Sequence, residues 1–278
     1  MSNNYSQTIH TAADFLKSKG IDNIDLGIVL GTGLSQFVNE IEIITEIPYT
    51  QIPGFSQATV EFHSGKLIYG KVSGKTVLAM NGRYHFYEGY SMQEITLPIR
   101  VMKVLGANHL FLSNAAGGMN LDWKKGDLML ITDHINLQPS NPLIGKNLDE
   151  FGPRFPDMSQ AYNKAMVASF NTSAKNNGIT LHNGIYVSVV GSMLESPAEY
   201  RFLRKIGADA VGMSTVPEVI VANHMGMKVA AISVITDECD PDNLQPINIA
   251  EIIDVAGKAE QKMSIILKDV IASLKINN

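Results

Sequence analysis

The stretch "KVAAISVIT" (228–236) decides the fold. Only Lys228, Ser233 and Thr236 interrupt its apolar character, and polar residues do not alternate with apolar ones. A strand with one wet face alternates, whereas a strand covered on both faces stays apolar. Six other runs read the same way: "DLGIVL" (25–30), "KTVLAM" (75–80), "HLFLSN" (109–114), "DLMLIT" (127–132), "GIYVSVV" (184–190) and "ADAVGM" (208–213). Helical periodicity fills the intervals at about 5–19, 92–105, 159–177, 197–206, 216–225 and 248–275. Gly20, Gly106, Gly178, Gly207 and Gly226 stand where helix stops belong, and Pro197 and Pro217 stand near helix starts. The expectation is a single α/β domain over 1–278. A central mixed, largely parallel sheet should carry helices on both sides. The Pro-, Gly- and Asn-rich segment 137–157 reads as a long functional loop.

Composition narrows the class. Of 278 residues, 45% are hydrophobic and 18% charged, enough apolar material for a sizeable core. A net charge of −5 argues against a nucleic-acid binder, which needs a basic face. The single cysteine, Cys239, cannot form an internal disulfide, which suits a reducing compartment. No run approaches the ~20 apolar residues of a membrane helix. The N-terminal stretch lacks the apolar core of a signal peptide, so the expected location is cytoplasmic.

Ligands of open α/β sheets bind beyond the carboxyl ends of the strands. Thr32 follows the first run. Arg83 and His85 follow "KTVLAM", and Ser214 follows "ADAVGM". Hydroxyls, a planar guanidinium and glycine-exposed backbone N–H groups together suit an oxyanion. Taken singly, each has a plainer reading: a tight turn or a surface charge. Glu195 and Asp237 form a second group at strand ends, where the plain readings are a helix-start charge and a solvated loop. Tyr84, Phe86, Tyr87 and Tyr90 read as a stacking surface or as core packing. "DECDPD" (237–242) lacks the spacing and the glycine of a calcium loop, and no histidine neighbours Cys239. "GTGLSQ" (31–36) lacks the third glycine of a dinucleotide fingerprint. A non-catalytic binder of phosphate or purine would share the anion site.

Four motifs carry a resemblance: "GRYHFYEGY" (82–90), "SNAAGGMN" (113–120), "DHINL" (133–137) and "GADAVGMSTVPEVIVANHMGM" (207–227). From about residue 26 to the C-terminal helix the chain resembles the trimeric purine nucleoside phosphorylases. The resemblance implies reversible phosphorolysis of purine (deoxy)ribonucleosides, chiefly inosine and guanosine, in purine salvage. Free base and (deoxy)ribose 1-phosphate are the products. It implies a homotrimer, inorganic phosphate as co-substrate, and no metal or organic cofactor. By position, phosphate would meet Thr32, Arg83, His85, Ala115 and Ser214, with His63 nearby. Ribose would lie against Tyr87 and Met213, with Phe155 reaching in from a neighbouring subunit. Glu195 and Asp237 would hold the base, with Leu194 and Val211 packed on it. Asp237, His85 and Glu195 would be the catalytic groups.

Three departures bear on specificity. The family members specific for 6-oxopurines usually have Asn where this chain has Asp237. Protonated, Asp237 donates to purine N7 and accepts from a 6-amino group; ionised, it repels O6. Leu194 replaces a usual aromatic, and "NIAE" (248–251) lacks a histidine that often meets the 5′-hydroxyl. A methylthioadenosine phosphorylase-like or 6-aminopurine-accepting specificity is therefore the alternative.

Overall fold

A computed structural model describes residues 2–32, 34–58 and 64–275. Six α-helices and nine strands occur among them. They run α1 (Ser2–Ser18), β1 (Leu26–Leu30), β2 (Glu42–Pro48), β3 (Lys66–Val72), β4 (Lys75–Asn81), α2 (Met92–Val104), β5 (His109–Gly118) and β6 (Leu128–Asn136). There follow α3 (Lys164–Asn176), β7 (Leu181–Ser188), α4 (Pro197–Lys205), β8 (Ala210–Gly212), α5 (Val216–His224), β9 (Lys228–Glu238) and α6 (Ile249–Ser273). All six expected helices form. Each of the five marker glycines lies two residues past a helix with a left-handed φ.

The strands make one mixed sheet in the order β2-β3-β4-β1-β5-β8-β7-β6-β9, and β9 also pairs with β5. The second half of the sheet thus closes on itself around β5. Five pairings are parallel and four antiparallel. Along β1, Val29 enters an apolar cluster with α1, α2 and α5, while Leu26, Ile28 and Leu30 enter another with α3 and α6. Both faces of the sheet are therefore covered by helices, as the unbroken apolar runs require.

The sequence reading missed β2 and β3, which extend the sheet antiparallel from β4. β2 is a largely exposed edge strand with a bulge between Ile43 and Thr45, so no apolar run marks it. β5 runs on through "SNAAGG", beyond the end of its apolar run; Gly117 and Gly118 pair with β8 on one side and β9 on the other. The segment 137–157 contains no helix or strand, as expected. No helix among the described residues is long and apolar enough to cross a membrane.

Buried Glu260 of α6 anchors the chain that leaves the β1 turn. It accepts N–H bonds from Gln36 (3.0 Å) and Phe37 (2.7 Å), at the start of a 3₁₀ turn over Gln36–Glu40. Burial pushes its carboxyl up to about 7, against the pull of the two N–H donors. The unfolded chain holds that proton only to a pH of roughly 4.3. Its contribution to stability is therefore fully present below roughly pH 4.3 and is lost as pH rises through about 7. The melting temperature of the wild type should fall more steeply between pH 5 and 8 than that of Glu260→Gln. Parallel curves would contradict the assignment.

Candidate active site

A cavity of about 190 Å³ opens at the carboxyl ends of the strands. Thr32 enters it from the turn after β1, and Arg83, His85 and Tyr87 from the segment after β4. Asn114 to Gly117 form its floor on β5. Leu194 and Glu195 come from the β7–α4 connection, Val211 to Ser214 from β8 and its exit, and Asp237 and Cys239 from the end of β9. Every site residue expected to come from the same subunit is here except His63, which lies outside the described residues. Phe155, expected to come from a neighbour, is 87% exposed and outside this cavity.

One half of the cavity is cationic and rich in hydroxyls. Arg83 is buried, and three different elements hold its guanidinium. Its Nε donates to Glu218 Oε1 (3.2 Å) on α5, and its Nη1 donates to the Ser113 carbonyl (2.7 Å) and to Ser214 Oγ (3.2 Å). Glu88 Oε1 lies 2.8 Å from His85 Nδ1 and also accepts the His85 backbone N–H, which fixes the ring. Tyr87 stacks on that imidazole at 4.7 Å. Gly31 lets this turn lie on β5, since a Cβ there would come within 2.7 Å of the Ser113 carbonyl oxygen.

Thr215 follows Ser214 at φ 71° and ψ −52°, a strained conformation for a residue with a Cβ. Val216 N–H donates to the Ser214 carbonyl at 2.8 Å, closing a γ-turn. Asn114 Nδ2 donates to Thr215 Oγ1 at 2.9 Å and secures the turn. This bend brings Ser214 and the N-terminal end of α5 to the same place as Arg83, where a helix dipole favours negative charge.

The other half holds two carboxyls. Burial raises Glu195 above the ordinary carboxylate range. Ser196 just behind it caps α4 in a reciprocal box with Glu199, which fixes the chain at that point. Burial likewise raises Asp237, with the nearby Lys125 ammonium pulling the other way. Between the two carboxyls stand Tyr200 and Cys239. Tyr200 neighbours both Glu195 and Cys239, and the Cys239 thiol donates to Asp237 Oδ2 at 3.8 Å. Burial pushes the Cys239 thiol up to about 12, so it stays protonated.

The sequence reading missed Tyr200, Glu88, Glu218, Asn114 and Lys125. Glu218 left a signal, an acidic residue inside the apolar run "VPEVIV" (216–221). Ile247 and Ile252 complete the wall, flanking the segment that lacks the expected histidine. Tyr84 is a packing residue, buried against Tyr49 and Tyr90. Among the described residues no group of three or more His, Cys, Asp or Glu side chains is placed to hold a metal ion.

Residues 25–272 match the family model of the phosphorylase superfamily. The chain is 47% identical to purine nucleoside phosphorylase 1 of Bacillus subtilis, over 95% of this chain and 97% of that one. It is 39% identical to purine nucleoside phosphorylase of Bos taurus, over 100% and 99% of the two chains. The structure of Schistosoma mansoni purine nucleoside phosphorylase in complex with adenosine superposes with a TM-score of 0.92, at 38% identity over 98% of each chain. With the family model spanning most of the chain and relatives at 39–47% identity over nearly its whole length, the chain belongs to the purine nucleoside phosphorylases of the phosphorylase superfamily.

Proposed function

We propose that this chain catalyses reversible phosphorolysis of purine nucleosides. The observation that carries the reading is that two chemistries, an arginine–hydroxyl set and a pair of carboxyls, line one small cavity. Phosphate sits against Arg83, Thr32, His85, Ser214 and the Ala115 backbone. The purine sits between Glu195 and Asp237, packed by Leu194 and Val211. The C1′–N9 bond between them breaks, a phosphate oxygen bonds to C1′, and the electron pair leaves with the base. Positive charge on the sugar is stabilised by phosphate, which Arg83 holds in line for attack. A proton donor at purine N7 offsets the negative charge on the leaving base, and Asp237 fills that role when protonated.

Ribose lies against Tyr87 and Met213. Phe155, exposed in its own subunit, suits insertion into a neighbour's cavity in a homotrimer. Inorganic phosphate is a co-substrate, and no step of this scheme needs a metal or an organic cofactor.

Inosine and guanosine are the preferred substrates, because a Glu195 carboxylate accepts their N1–H. Three points favour a broader range as a second reading. Protonated Asp237 suits a 6-amino group, and apolar Ile247 and Ile252 line the wall. S. mansoni purine nucleoside phosphorylase has been seen with adenosine. Values of kcat/KM for inosine, guanosine, adenosine and 5′-methylthioadenosine are the test. The expected order places the 6-oxopurines first, with measurable adenosine turnover. No adenosine turnover would remove the broader reading; no turnover of any of them would remove the function.

A further inference from the structure

Lys125 stands outside the cavity, yet it is tied to Asp237. It belongs to the turn between β5 and β6, which is strapped to β9. Gly126 N–H donates to the Ile235 carbonyl (2.8 Å), and Ile235 N–H donates to the Asp127 carbonyl (2.9 Å). That register sets the Lys125 ammonium 3.7 Å from Asp237 Oδ1. The same ammonium lies 2.7 Å from Glu251 Oε1 in the first turn of α6, one residue before cavity-lining Ile252.

The other ionisable groups around Asp237 are few. Glu238, next on the strand, is paired with Lys124 at 3.5 Å. Cys239 is a thiol donor, and Tyr200 and Glu195 neighbour it. The facing β5 residue is Gly117, which brings no charge. Among the described residues, Lys125 is therefore the cation in direct contact with the proposed proton donor, and Glu251 competes for it.

We propose that Lys125 is a positioning residue for base release, sharing its charge between Asp237 and Glu251 and thereby setting the pH at which Asp237 loses the proton it offers to purine N7. The inference rests on the phosphorolysis reading. It adds a control outside the cavity: a salt bridge between the β5–β6 turn and α6 tunes the donor. A nearby cation favours an ionised carboxylate, while Glu251 draws that cation away. Removing Lys125 should prolong the protonated state, and removing the charge of Glu251 should shorten it.

The test is the pH profile of phosphate-dependent hypoxanthine release from inosine, in wild type, Lys125→Met, Lys125→Arg, Glu251→Gln and Asp237→Asn. The alkaline limb of Lys125→Met should move up by about one pH unit, which is roughly tenfold more activity at a fixed pH on that limb. Glu251→Gln should move it down, Lys125→Arg should leave it in place, and Asp237→Asn should abolish it. Opposite shifts in two variants are a signature that loosening of the fold would not give. Should Lys125→Met fail to fold, the downward shift in Glu251→Gln still decides. An unmoved limb, or a uniform loss at every pH in both variants, overturns the inference. An inactive wild type would instead overturn the proposed function itself.

Discussion

Arg83→Ala should lower kcat/KM for phosphorolysis by roughly 10³, with the loss carried by phosphate. The guanidinium is the fixed cation of the hydroxyl-lined half, and no neighbouring side chain can replace its planar fork. The variant also strips buried Glu218 of its guanidinium partner. Breaking one side of a buried pair costs about 3–5 kcal/mol, so lost activity alone would be ambiguous. Arg83→Met combined with Glu218→Gln removes the stranded charge. That double variant should regain most of the melting temperature and none of the activity. Full activity in it would mean that phosphate is held elsewhere.

Asp237→Ala should lower kcat by about 10²–10³ on every purine nucleoside while leaving KM for phosphate nearly unchanged. The proton donor at the leaving base disappears, but the Arg83 side is intact. The pH dependence carries a sign. Burial raises the Asp237 carboxyl above the ordinary range, and the donor is active only when protonated. Wild-type activity should therefore fall as pH rises through that raised value. Asp237→Asn keeps a donor that does not titrate, so it should recover inosine turnover and lose the fall. Equal pH profiles for the wild type and Asp237→Asn would assign the limb to another group.

Much of this site was legible because its parts sit at ends of apolar runs, where sequence order and spatial position coincide. "KVAAISVIT" leads to Asp237, "KTVLAM" to Arg83 and His85, and "ADAVGM" to Ser214. The roles beyond the anion site came from long motifs rather than from spacing. What escaped was of two kinds. β2 and β3 are partly exposed, so burial did not stamp an apolar pattern on them. The "SNAAGG" extension of β5 has small residues because two strands and Cys239 crowd it; a Cβ on Gly117 would lie 2.5 Å from Cys239 Sγ. Some supporting residues act through others across long separations. Glu218 meets Arg83 from 135 residues away, and Lys125 meets Glu251 from 126 residues away. The lone acid in "VPEVIV" marks Glu218 but not its partner, and nothing local marks Lys125.

The central claim is that the two halves of the cavity join a phosphate to a sugar as the purine departs. The most direct measurement is the product balance from inosine with and without inorganic phosphate. Hypoxanthine and ribose 1-phosphate should appear in equal amounts with phosphate, and neither should appear without it. Hypoxanthine released with free ribose in the absence of phosphate would make water the acceptor and contradict the account.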